Sequence, residues 1–229
     1  MKFIEGLHLH KETLRQTGRK MRSSGAIKLP PRVENRSKFL PSSNQGSTPK
    51  CAAYTMAGVL EYWRWKLYGI AEQVDPDPIY AGAKERDGDP DGDGTTLEAV
   101  VEAAVALGYL SAPDMVVVED WRDVKRALHR FDVMLWGMLI DDGWYDAQPN
   151  GWIPPGTKDI GGHATVGCGY ADDYERYFDG QCSWGEIGWG WRGFYRMTMD
   201  QFKKQFMYGI CINPDCVIDP AIEIMVKRK

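Results

Sequence analysis

One change of hydrophobic period limits what this chain can fold into. From Cys51 the apolar residues Ala53, Tyr54, Ala57, Val59, Leu60 and Trp63 to Trp65 recur at helical spacing, and the run closes near Gly69. A second helix is predicted from a Thr95-x-x-Glu98 capping box, with Leu97, Val100, Val101 and Ala104 inward and an end at Gly108. A third is capped by Asp120 and turns Trp121, Val124, Leu128 and Phe131 to one face. Beyond it the pattern is β-like, with strands predicted over 133–140, 163–170, 194–197 and 210–212. Residues 70–94 read as loop, because Pro76, Pro78 and an Asp/Gly cluster break the periodicity, and 32–50 read as polar loop. Helices first and strands second predict an α+β chain with two segregated lobes.

Charge is distributed unevenly along the 229 residues. Residues 1–40 hold ten Lys/Arg against three Glu, whereas the remainder holds 18 basic and 29 acidic side chains. Residues 1–28 therefore read as a basic N-terminal arm, with a short helix around Lys11 to Arg22, ahead of Pro30 and Pro31. The arm is expected either to dock on its own acidic body or to attach the chain to a larger assembly through 1–40. No aromatic residue interleaves with the charges between Phe3 and Phe39, so nucleic acid is not the expected partner.

The composition, 43% hydrophobic and 26% charged, is globular. A chain of this length buries roughly 70–75% of its surface and needs no disulfides. Its five cysteines are odd in number and match no zinc spacing, which fits a reducing compartment. No stretch approaches the ~20 apolar residues of a membrane span, and the N-terminus lacks an apolar signal core. A cytoplasmic location is expected, with a virion as the alternative setting.

Nucleophilic chemistry is suggested by Cys51, which starts the first helix, where the helix dipole favours thiolate. The partner base is His163, in Gly161-Gly162-His163-Ala164, where the glycines let a ligand backbone approach. Strand alternation puts His163, Thr165 and Gly167 on one face and turns Ala164, Val166, Cys168 and Tyr170 away. Gln45, six residues before Cys51, offers a side-chain amide to a developing oxyanion.

These residues resemble the papain-like cysteine peptidases. Leu29-Pro30 followed by Val33-Glu34-Asn35-Arg36 looks like the start of that family's mature domain. Asn44-Gln45-Gly46, Cys51-Ala52-Ala53-Tyr54-Thr55-Met56-Ala57 and Glu61 resemble its glutamine loop and nucleophile helix. Gly161-Gly162-His163-Ala164 with Gly169-Tyr170 resembles its histidine strand, and Ser183-Trp184-Gly185, Trp189-Gly190 and Gly193-Phe194 resemble the aromatic segment that follows. The motifs run in order from about 29 to 210.

The resemblance implies a helical lobe over 29–115 carrying the nucleophile helix and an antiparallel β-barrel-like lobe over 116–229 carrying the histidine, with the cleft between them. It implies Cys51 as nucleophile, His163 as general base and acid, Gln45 as oxyanion donor, Trp184 and Gly162 as substrate contacts, and a peptide or protein substrate. Cys182 stands where the family has the asparagine that orients the histidine. The arm is shorter than the family's long inhibitory prosegments, so restraint by it is not expected. Two alternatives remain open: a fold kept as a binding or structural module, for example in a virion, and a thiol amidase or acyl transferase.

Asp87-x-Asp89-x-Asp91-Gly92-x5-Glu98 fits the calcium-loop pattern and predicts a structural ion, against the reading of a solvated acidic loop with Glu98 in the capping box. No other cofactor is required.

Overall fold

The computed structural model describes residues 6–7, 19–21 and 27–219. Helix α1 (Cys51–Tyr68) is buried on nearly every side from Cys51 to Arg64, as befits a helix that is apolar all round. Gly69, at φ 71°, ends it in the left-handed region and returns its N–H to the carbonyls of Arg64 and Trp65. Helix α2 (Pro76–Lys84) lies where a loop was expected. Asp75 caps it by accepting from the Asp77 N–H, and Pro76 occupies the first turn, where its missing N–H costs nothing. In α3 (Leu97–Ala106) the cap is Thr96, not Thr95, and Glu98 instead accepts a 3.0 Å hydrogen bond from Tyr208.

Strands β3 (Met115–Val118), β4 (Met134–Asp141), β5 (Asp159–Ala171), β6 (Tyr177–Gln181), β7 (Phe194–Thr198) and β8 (Phe206–Ile212) form the second half, with α4 (Val124–Phe131) and α5 (Met199–Gln205) against them. With β1 (Arg19–Lys20) and β2 (Arg32–Glu34) they make one sheet in the order β1-β3-β8-β4-β5-β6-β7, β2 pairing with β5. Among the described strand pairings β1–β3 is parallel and the rest are antiparallel. The helix expected over 11–22 falls largely outside the described residues, and at 19–20 the chain is strand. There the edge of β3 supplies backbone partners: Met21 N–H donates to Val117 at 2.9 Å. Arg19 pairs with Asp114 at 2.5 Å and Lys20 with Glu119 at 2.7 Å, so this part of the arm docks on its own acidic body.

The sheet separates two apolar cores. On one face Leu135, Ala164, Val166, Cys168 and Ile210 pack against α1, α2 and α3. On the other Trp136, Met138, Phe178, Tyr195 and Phe202 pack with α4 and α5. Successive residues of β4 and β5 enter opposite cores, as a period of two requires. Strands β3 and β6 were not anticipated; β6 is buried at all five positions and so lacks the alternation that marks a half-exposed strand. Among the described residues no helix is long and apolar enough to cross a membrane.

Gly167 on β5 lies under the Trp136 ring of β4, and a Cβ there would lie 2.5 Å from that ring. Gly167→Ala should destabilise the chain by about 1–3 kcal/mol, read as a lower urea midpoint at unchanged slope. An unaltered midpoint would show that the ring can yield.

Candidate active site

Packing of α1 on β5 positions the chemistry. Cys51, the first residue of α1, is fully buried, and its sulfur accepts from the backbone N–H groups of Ala164 and Gly6. Ala164 follows His163 on β5, so the sulfur lies against the main chain that carries the imidazole. That ring is also fully buried, between Trp144 (centroids 5.9 Å, 80°) and Trp184 (4.9 Å, 37°). Its Nε2 is 3.2 Å from Cys182 Sγ, and its Nδ1 has no hydrogen-bond partner among the described residues.

Both groups are neutral in this state. Burial pushes the Cys51 thiol up to about 11, backbone N–H groups only partly offsetting it, and burial alone lowers the imidazole to about 3. The thiolate expected from the helix dipole is therefore absent: desolvation outweighs a dipole contribution of about 0.3–1 kcal/mol.

Gln45 is tied to the same segment as Cys182. Its N–H donates to Ser183 O at 2.8 Å, its Oε1 accepts from Ser183 Oγ at 2.5 Å, and its Nε2 donates to Thr48 O at 2.8 Å. The amide proposed for an oxyanion is thus engaged with Thr48. Cys182 is held through its own backbone, which donates to Gly193 O at 2.9 Å and accepts from Ser42 Oγ. Trp184 is only 2% exposed, with Tyr145 stacked 5.8 Å from it, so it covers His163 and Tyr145 presents the outer face. Cys168 lies away from the site, its thiol 3.7 Å from Asp179 Oδ1.

Two residues of the N-terminal arm, Gly6 and Leu7, lie against this site. Gly6 O accepts from Thr95 N–H at 2.8 Å, and Leu7 N–H donates to Gly162 O at 3.2 Å. Leu7 is buried, and a Cβ on Gly162 would come within 2.6 Å of its carbonyl oxygen. Gly162, expected to contact a substrate, here meets the backbone of Leu7. Trp144 and Leu7 were not singled out in the sequence and Thr95 was read only as a helix cap; nothing in their spacing marks them, since the fold alone brings Trp144 to His163 and Thr95 and Gly162 to the arm.

The calcium-loop carboxylates do not converge. Glu98 is buried against Tyr208, Asp87 pairs with Lys84 at 2.8 Å, and among the described residues no three His, Cys, Asp or Glu side chains are grouped to hold a metal. The pattern matched in sequence, but α3 draws its last member, Glu98, into the core.

No protein-family model and no curated protein matches the chain. Solved structures do. Xylellain, a cysteine protease from Xylella fastidiosa, superposes with TM-score 0.70 at 16% identity, covering 91% of this chain and 95% of that one. Procathepsin L2 proteinase of Tenebrio molitor larval midgut gives 0.71 at 16%, over 91% and 78%. Procathepsin B S9 from Trypanosoma congolense gives 0.70 at 12%, over 91% and 85%. With Cys51 at the helix start and His163 on the facing strand, the chain has the two-lobed α+β fold of the papain-like cysteine proteases.

Proposed function

We propose that this chain is a thiol hydrolase acting on peptide bonds, with its arm seated in the cleft in the resting state. The observation that carries the reading is the contact of the Cys51 sulfur, at the start of α1, with the Ala164 N–H beside His163. His163 would take the Cys51 proton, and the thiolate would attack the substrate carbonyl. The first N–H groups of α1, which have no intrahelical partner, would hold the oxyanion, joined by the Gln45 amide once it turns from Thr48 O. His163 would then protonate the leaving amine and activate water to release the acyl group. The substrate class follows from the occupant: an extended main chain already hydrogen-bonds to Thr95 and Gly162. Neither cofactor nor metal takes part in these steps.

Cys51→Ala should abolish both peptide hydrolysis and iodoacetamide labelling at neutral pH. Rapid labelling confined to other cysteines of the unmutated chain would argue for the binding-module alternative.

Access is a separate matter. A Cβ on Gly6 would lie 2.2 Å from Pro49 O, so no side chain fits there while the arm is seated. Gly6→Leu should lift Gly6 and Leu7 from the cleft and speed Cys51 labelling about tenfold or more, the equivalent of about 1.4 kcal/mol against the closed state. Labelling at the original rate would mean that the arm does not limit access.

A further inference from the structure

The imidazole of His163 meets the thiol of Cys182, and that thiol bears on where the ring proton lies. Cys182 Sγ is 3.2 Å from Nε2, and the backbone N–H groups of Trp184 and Ser183 donate to the same sulfur. The acceptor side of that sulfur is therefore taken. Burial keeps Cys182 protonated, so it has one S–H to place, and Nε2 is the acceptor in front of it. A ring nitrogen that accepts carries no proton. In a neutral ring the proton then sits on Nδ1.

Nδ1 is also the nitrogen that the reaction needs. Nε2 is engaged with Cys182, so Nδ1 is the ring nitrogen left to take a proton from Cys51. We propose that Cys182 is a positioning residue that holds His163 in the Nδ1–H tautomer, so that the ring must exchange tautomers before it can take a proton from Cys51. The exchange conserves protons: one leaves Nδ1, one binds Nε2, and the Cys182 S–H turns aside. An asparagine at 182 would do the reverse, its amide oxygen accepting from Nε2–H and leaving the Nδ1 lone pair free. A histidine held in the wrong tautomer costs a hydrolytic triad about 10⁴ in kcat. The catalytic consequence rests on the hydrolase reading; the tautomer itself does not.

The test is a long-range 1H–15N spectrum of the full chain at pH 7, in which the two ring nitrogens differ according to which one is protonated. The chain has four histidines, so His163→Gln assigns the signal. The unmutated chain should show a protonated Nδ1 and an unprotonated Nε2. Cys182→Ser, which keeps a donor at 182, should preserve that pattern, and Cys182→Asn should invert it. In the Gly6→Leu background, Cys182→Asn should also raise kcat on labelled casein by about 10²-fold or more with little change in KM. A protonated Nε2 in the unmutated chain overturns the proposal whatever the activity. Inversion in Cys182→Asn with no hydrolysis by any variant upholds the tautomer assignment and counts against the hydrolase reading instead.

Discussion

Strand β5 belongs to two cores at once, and the candidate site exists because of that. Ala164 and Val166 enter the core under α1, while His163 and Thr165 face the aromatic core of the other lobe. Burying the first pair draws the start of α1 against β5, which delivers the Cys51 sulfur to the Ala164 N–H. Burying the second face fixes the imidazole between Trp144 and Trp184, and Thr165 is locked behind it through Trp136 Nε1 at 2.5 Å and Tyr195 Oη at 2.6 Å. A one-residue slip of β5 would exchange the two faces and separate the pair entirely.

Dehydration then decides the protonation states. The usual case for a thiol and an imidazole in one cleft is mutual stabilisation of opposite charges. Here the thiol is pushed up to about 11 and the ring down to about 3, so each is held neutral. The arm group at the sulfur acts the other way: the Gly6 N–H donates to Cys51 and lowers its thiol, against the larger effect of burial.

Much of this arrangement was legible in the sequence, for a reason that also explains what was not. Helix α1, the strand face carrying His163 and the burial of Cys168 follow from local periodicity, and burial of one face enforces that periodicity. Helix α2 was hidden because Pro76 and Pro78 read as breakers, although Pro76 sits in a first turn where the penalty vanishes. Strand β6 was hidden because complete burial removes alternation. The tie from Gln45 to Ser183, the aromatic walls around His163 and the seating of Gly6 and Leu7 depend on contacts between segments far apart in the chain, which no local pattern encodes.

The passage for the arm is shaped for main chain. Cβ atoms on Gly94 and Gly162 would strike the carbonyl oxygens of Gly6 and Leu7 at 2.1 and 2.6 Å, so both walls admit a backbone closely. One side chain is received as well: a Cβ on Gly137 would lie 2.7 Å from Leu7 Cδ2, with Tyr208 alongside and hydrogen-bonded to the buried Glu98. Backbone contacts on two walls do not discriminate between sequences, so the seat beside Gly137 and Tyr208 is the place where the side chain of the occupant matters. It has room for Leu7 only because position 137 lacks a side chain.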